Sequence, residues 1–254
     1  EYTARNRAIL PQRYDLRETG VIGPMRNQGS YGTCWAFSAL ASVESGLLSR
    51  FPLADLSERH LAWFSYTGAQ EEEANFLYTP IDPYNMGGFD TTAVAAMAAW
   101  KGPVFEEAVP YNGEAVDESL RDASGYHLQN AFYLAGGPYS ITDIAKPSLD
   151  QIKEMIMEYG ALSIDYYASA EDTAYNAETH AWFNSEKKSP DHAVTVVGWD
   201  DSFSRENFLE GNRPEGDGAW LVKNSWGLDW GDNGYFWLSY EEQSMISSAF
   251  YQVE

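Results

Sequence analysis

One cysteine, Cys34, stands in 254 residues. A single thiol excludes intramolecular disulfides and thiolate metal clusters. Basic residues are also scarce, with 16 Lys+Arg against 38 Asp+Glu, a formal charge of −22. A field of that sign repels nucleic acid and anionic membrane surfaces, so neither is an expected partner. It favours cationic substrates, although an acidic surface also serves solubility alone. Long apolar runs are missing: Thr92–Trp100 is too short and too Ala-rich to cross a bilayer. Histidine is rare, with four in the chain. No internal repeat or low-complexity tract is found.

What is present suffices for a real core. Hydrophobic residues make up 44% and aromatics 15%. The length fits one large domain, 1–254, or two intimate lobes sharing a cleft. Apolar spacing predicts helices over Cys34–Leu48, Leu56 to about Tyr66, Thr91–Trp100 and Ser148–Tyr159. Thr33 or Ser30 is placed to cap the first of these, and Gly160 closes the last. Beyond Gly160 the period changes towards two, predicting strands at Ala161–Tyr167, His192–Trp199, Ala219–Asn224 and Tyr235–Tyr240. Helices before strands imply an α+β chain. Asp200–Gly218 is a polar excursion between strands, and its acids Asp200, Asp201 and Asp217 match no calcium loop. No metal or other cofactor is expected.

Four segments carry chemistry. In Gln28-Gly29-Ser30-Tyr31-Gly32-Thr33-Cys34-Trp35 a thiol opens a helix, where unpaired N–H groups and the helix dipole favour thiolate. Asp191-His192-Ala193-Val194 starts an apolar strand with a histidine. Lys223-Asn224-Ser225-Trp226-Gly227 follows another strand. Asn85-Met86-Gly87-Gly88-Phe89 opens a helix with a glycine pair. Each has a plain alternative: a buried small thiol, a core histidine, a turn asparagine, an ordinary turn before a helix. His60, His127 and His180 lie in no partner motif and are expected on the surface.

Together and in this order, the four segments resemble the papain and cathepsin family, whose nucleophile signature is C-G-[SA]-C-[WY] with His and Asn far downstream. Here the signature reads Tyr31-Gly32-Thr33-Cys34-Trp35. Tyr31 replaces the family's first cysteine, in keeping with the single thiol, and Thr33 replaces Ser or Ala. The separation of Cys34 from His192 runs slightly beyond the usual range of about 130–150 residues. An insertion at the acidic run Glu71–Glu73 accounts for the excess. The resemblance extends from Leu10 to about Val253, and is poor over Glu106–Pro147.

The resemblance implies an α+β, papain-like two-lobed fold. A helical lobe would span about 21–130 and an antiparallel, barrel-like strand lobe about 131–247, with terminal segments crossing between them and the active site in the cleft. It implies cysteine-type endopeptidase activity. Cys34 would be nucleophile, His192 base and acid, Asn224 the residue orienting the imidazole, and Gln28 the oxyanion donor. A thiolate–imidazolium pair is the expected resting state. Trp226 would shield the His–Asn bond. Gly32, Gly87, Gly88, Phe89, Asp165, Asp191 and Ser248 would join Trp226 in binding substrate, Asp165 and Ser248 in the S2 pocket. An exopeptidase using the acidic segment Gln70–Ala74, an acyl transferase, and a binding-only homologue are the alternatives. Peptide or protein is the implied substrate, and the chain's own propeptide the implied inhibitor. Few residues precede Leu10, so the resemblance suggests a mature form whose signal and propeptide lie outside this chain. A disulfide-free member suggests a prokaryotic enzyme exported to the exterior, periplasm or cell surface.

Overall fold

A computed structural model describes residues 9–52, 54–67, 82–123, 125–133, 147–245 and 248–253. Its helices are α1 (Cys34–Leu48), α2 (Glu58–Tyr66), α3 (Asp90–Ala98), α4 (Leu149–Tyr159) and the single turn α5 (Glu171–Ala174). Short polar side chains set their starts. The Ser57 hydroxyl accepts from His60 N–H at 3.0 Å to open α2. Ser148 and Gln151 cap each other's backbone at α4, worth about 1 kcal/mol for such a cap. Thr33 precedes α1 without capping it. Its hydroxyl is engaged by the Tyr111 hydroxyl at 2.6 Å instead.

The strands are β1 (Arg13–Asp15), β2 (Leu128–Tyr133), β3 (Leu162–Tyr166), β4 (Tyr175–Asn176), β5 (Ala181–Trp182), β6 (His192–Asp200), β7 (Ala219–Lys223), β8 (Tyr235–Ser239) and β9 (Ser248–Val253). They form one sheet in the order β2-β9-β3-β6-β7-β8-β5-β4, with β1 laid on β6. The pairings are antiparallel except β5 with β8. The crossing of β1 depends on Gly198, where a Cβ would stand 2.2 Å from the Tyr14 carbonyl oxygen.

Two apolar cores result. One lies among the sheet, β1 and α4, around Trp182, Trp199, Trp220 and Phe236. The other gathers α1, α2 and α3, with Ala193 of β6 and Ala249 and Tyr251 of β9. The helix α1 is buried nearly all round, and a serine stripe docks it on the sheet. Ser38 donates to Val194 O at 2.5 Å and Ser42 to Ala161 O at 2.6 Å, while Ser45 accepts from Ala161 N–H at 3.0 Å. Residues four apart share a helix face. Cys34, one turn before Ser38, therefore lies on the face turned to β6.

Candidate active site

Cys34 is partly buried at the first position of α1. Burial pushes its thiol up in pKa. Hydrogen bonding from the Ala193 N–H pulls it down, the charge of Asp165 raises it, and the N–H groups of Trp35 and Cys34 lower it. The Ala193 contact puts the thiol beside the residue that follows His192.

The sheet register brings the imidazole to its partner. Thr195 of β6 faces Lys223 of β7, so Asn224, next after β7, arrives beside the start of β6. His192 Nε2 and Asn224 Oδ1 are 2.8 Å apart. That oxygen also accepts the Ser225 N–H at 2.8 Å, which fixes the amide so that Nε2 of His192 carries a hydrogen. The Nδ1 atom is then the basic nitrogen. Burial pushes His192 down to about 4, against the raising effects of Asn224 and of the Asp191 charge. Taken singly, thiol and imidazole are thus both biased to their uncharged forms. The ion pair expected at rest must draw its stability from mutual attraction and from the N–H groups of α1.

The Trp226 indole stacks on His192 with centroids 4.6 Å apart at 26°, and Trp230 meets Trp226 edge-on at 4.8 Å. Tyr166, opposite His192 in the β3–β6 register, packs on it at 5.9 Å. The histidine–asparagine bond is therefore enclosed by aromatic rings. Among the described residues Asn224 Nδ2 is buried without a partner.

Gln28 is held from both ends. Its Nε2 donates to Tyr31 O at 2.7 Å, and its Oε1 accepts from the Ser225 hydroxyl at 2.7 Å. A carbonyl only accepts, so the amide orientation is unique. Its backbone N–H donates to Ser225 O at 2.8 Å, tying the loop before α1 to the segment that carries Asn224. The Tyr111 hydroxyl spans Thr33 Oγ1 and donates to Gln28 O at 3.0 Å. Neither Ser225 nor Tyr111 was singled out by sequence. Ser225 sits inside the asparagine segment and could have been found there, whereas Tyr111 lies in the stretch that resembles the family least.

The glycine pair is brought to the same place. Gly88 lies flat on Trp35, where a Cβ would fall 2.5 Å from the indole, and Gly87 (φ +68°) bonds through its carbonyl to the Tyr66 hydroxyl at 2.7 Å. A Cβ on Gly32 would touch Gly87 N at 3.5 Å. Phe89, 66% exposed, stands at the start of α3. Asp165 is buried on β3 opposite Ala193. The Asp191 carboxylate is exposed and accepts from Ala168 N–H at 2.6 Å and from the Ser169 hydroxyl. Ser248 pairs by its backbone with Ile164, and its side chain lies outside the described residues. The acidic segment Gln70–Ala74 also lies outside them.

The remaining candidates go elsewhere. Asp201 holds the buried Lys153 and the Tyr240 hydroxyl, Asp217 accepts from Arg205 N–H, and Asp200 accepts from Ser202. Among the described residues no acidic or His cluster has a metal-binding arrangement. His60 is a correction: it is fully buried, with Nε2 at 2.8 Å from Leu120 O. His127 and His180 are half-buried, stacked on Trp100 and bonded to the Tyr175 hydroxyl respectively.

Residues 10–253 match the family described as papain family cysteine protease. The chain belongs to that family. It is 30% identical over 246 residues to rat (Rattus norvegicus) procathepsin L, covering 94% of this chain and 64% of the relative. It is 30% identical over 228 residues to the probable cysteine protease RD19C of Arabidopsis thaliana, covering 89% and 56%. The chain therefore spans little more than half the length of such curated relatives. Among solved structures, the cysteine protease and lectin-like domains of Cwp84, a surface layer associated protein of Clostridium difficile, align with a TM-score of 0.79 and 31% identity. That alignment covers 97% of this chain and 52% of the other. Bromelain from Ananas comosus, at TM-score 0.68 and 21% identity, shares the fold, with 96% and 100% covered. The family's α+β papain fold is the fold observed.

Proposed function

We propose that the chain is a cysteine endopeptidase working through a Cys34 acyl-enzyme. The observation that carries this reading is the His192–Asn224 hydrogen bond, enclosed by Trp226, beside a thiol that opens a buried helix. Cys34 Sγ attacks the scissile carbonyl carbon as its proton passes to His192 Nδ1. The carbonyl oxygen, now negative, is met by the second Nε2 hydrogen of Gln28 and by the Cys34 N–H. The C–N bond breaks as His192 protonates the departing amine, leaving a thioester. Water, deprotonated by His192, attacks that thioester; the C–S bond breaks and a carboxylic acid leaves.

Asn224 keeps Nε2 protonated and the ring in place without competing for the proton, because an amide oxygen carries no full charge. Family membership supports peptide bonds as the substrate. The procathepsin relatives support a propeptide inhibitor, and the likeness to a surface layer associated protein supports export.

The test is digestion of a denatured protein by wild type and Cys34→Ala, with every new terminus sequenced. Internal cuts that vanish in the folded variant are expected. Persistent cutting by Cys34→Ala overturns the reading, and cuts confined to chain ends replace endopeptidase with exopeptidase.

A further inference from the structure

The carboxylate of Asp165 plays no part in the mechanism above, yet it lies beside the thiol. It is 8% exposed. On β3 it stands two residues after Ser163, and alternate strand residues share a face. Ser163 shows where that face looks: its hydroxyl donates to Asp90 Oδ1 at 2.9 Å and meets the Ser38 hydroxyl of α1 at 2.8 Å. Asp165 thus sits one step nearer the cleft, between Cys34 at the start of α1 and Asp90 at the start of α3. Its charge acts on both.

Buried carboxylates elsewhere in the chain are supplied with donors. Asp90 takes the hydroxyls of Ser163 and Tyr251, Glu44 takes the Leu56 N–H, and Glu242 takes Ser244 and Asn184. Asp165 differs. Among the described residues no donor bonds its carboxylate, and only burial and the Asp90 charge act on it, pushing it up to about 8. A buried carboxylate without donors or a countercharge is costly. A cation brought from outside would supply both.

A peptide is the natural carrier of that cation. An extended chain presenting a carbonyl to Cys34 passes along the bare backbone of Gly88, two residues before Asp90. Successive side chains of such a chain point to opposite sides. If the residue donating the carbonyl (P1) points out, the one before it (P2) points to the floor where Asp165 lies. We infer that Asp165, backed by Asp90, is the acidic floor of the P2 subsite and selects lysine or arginine there. The inference rests on the cysteine-peptidase reading.

The test uses fluorogenic peptides that differ only at P2, carrying Lys, Arg, Leu, Val or Phe. Wild type should show kcat/KM for Lys and Arg at least ~10-fold above Leu and Val, since truncating one partner of a desolvated charge pair costs that much or more. Asp165→Asn should lose that preference by a drop on the basic substrates, with little change on Leu. Asp165→Val should reverse it. Stoichiometric alkylation of Cys34 and an unchanged melting profile establish that each variant is folded. Wild-type preference stands as a test by itself if a variant does not fold. An aliphatic preference in wild type, or a basic preference that survives in folded Asp165→Asn, overturns the inference while leaving the peptidase reading intact. Cleavage that persists in Cys34→Ala overturns that reading, and the inference with it.

Discussion

The hydroxyl of Tyr111 touches the nucleophile loop at both ends, at Gln28 O and at Thr33 Oγ1. It holds the oxyanion donor and the residue before the nucleophile at a fixed spacing. Tyr111→Phe removes both contacts and keeps the ring, which packs edge-on against Phe37 at 4.9 Å. A hydrogen bond is worth about 0.5–1.5 kcal/mol net, so kcat should fall roughly 3- to 30-fold with KM little changed. Gln28→Ala should cost more, on the order of 10²–10³ in kcat, as loss of an oxyanion donor does. Adding Tyr111→Phe to Gln28→Ala should then cost less than Tyr111→Phe costs alone, because the group it positions is already gone. Steady-state kinetics of the four proteins decide this; strict additivity would assign Tyr111 to the fold alone. Gln28, Cys34, His192 and Asn224 were legible in the sequence because each sits in a short local pattern. Tyr111 was not, since its role arises only when a distant polar loop folds back on α1. The donors missing around Asp165 are likewise a property of packing, invisible in the order of residues.

At the level of elements, two antiparallel neighbours and one helix do the assembling. The helix α1 was legible to its ends, as its apolar spacing runs unbroken from Cys34 to Leu48. Strands β3, β6, β7 and β8 were legible from alternation. Strands β2 and β9 were not, because β2 is half-exposed and irregular and both depend on each other across the chain. What joins the elements into a site is register, with His192 opening β6 and Asn224 closing off β7. The coupling between α1 and β6 has a pH signature. Burial alone drives the Cys34 thiol up and His192 down to about 4, so thiolate below pH 8 depends on the histidine taking the proton. In wild type, alkylation by iodoacetamide should be measurable near pH 6. In His192→Gln it should show one rise, above the usual thiol pKa of about 8.5. Identical profiles would mean that the two elements do not exchange a proton. On the opposite wall, Gly88→Ala would drive a methyl into Trp35. It should raise KM for peptides far more than it slows alkylation of Cys34 by a small reagent.

Across the whole molecule, buried acids in a chain of net charge −22 set the pH dependence of stability. Burial pushes Asp165 up to about 8 and Glu44 up to about 7. Folded, they hold protons that the unfolded chain releases near pH 4. The stability they contribute is full below about 4 and is lost as pH rises through 7 and 8. His192 works the other way: its contribution is present above about 6.5 and lost as pH falls towards 4. Between pH 6.5 and 8.5 the histidine is silent and surface carboxylates are already ionised. Tm should therefore fall across that interval, and Asp165→Asn should flatten part of the fall. A Tm that is level or rising there would contradict the assignment of buried protons to these acids. The account as a whole rests on a covalent bond at one sulfur. Acid-quenching the protein early in turnover of an activated peptide ester, then mapping the intact and digested masses, tests it most directly. The expected result is one acyl group per chain, on the Cys34 peptide and labile to hydroxylamine; ester turnover with no acyl group on Cys34, or with one on another residue, would contradict it.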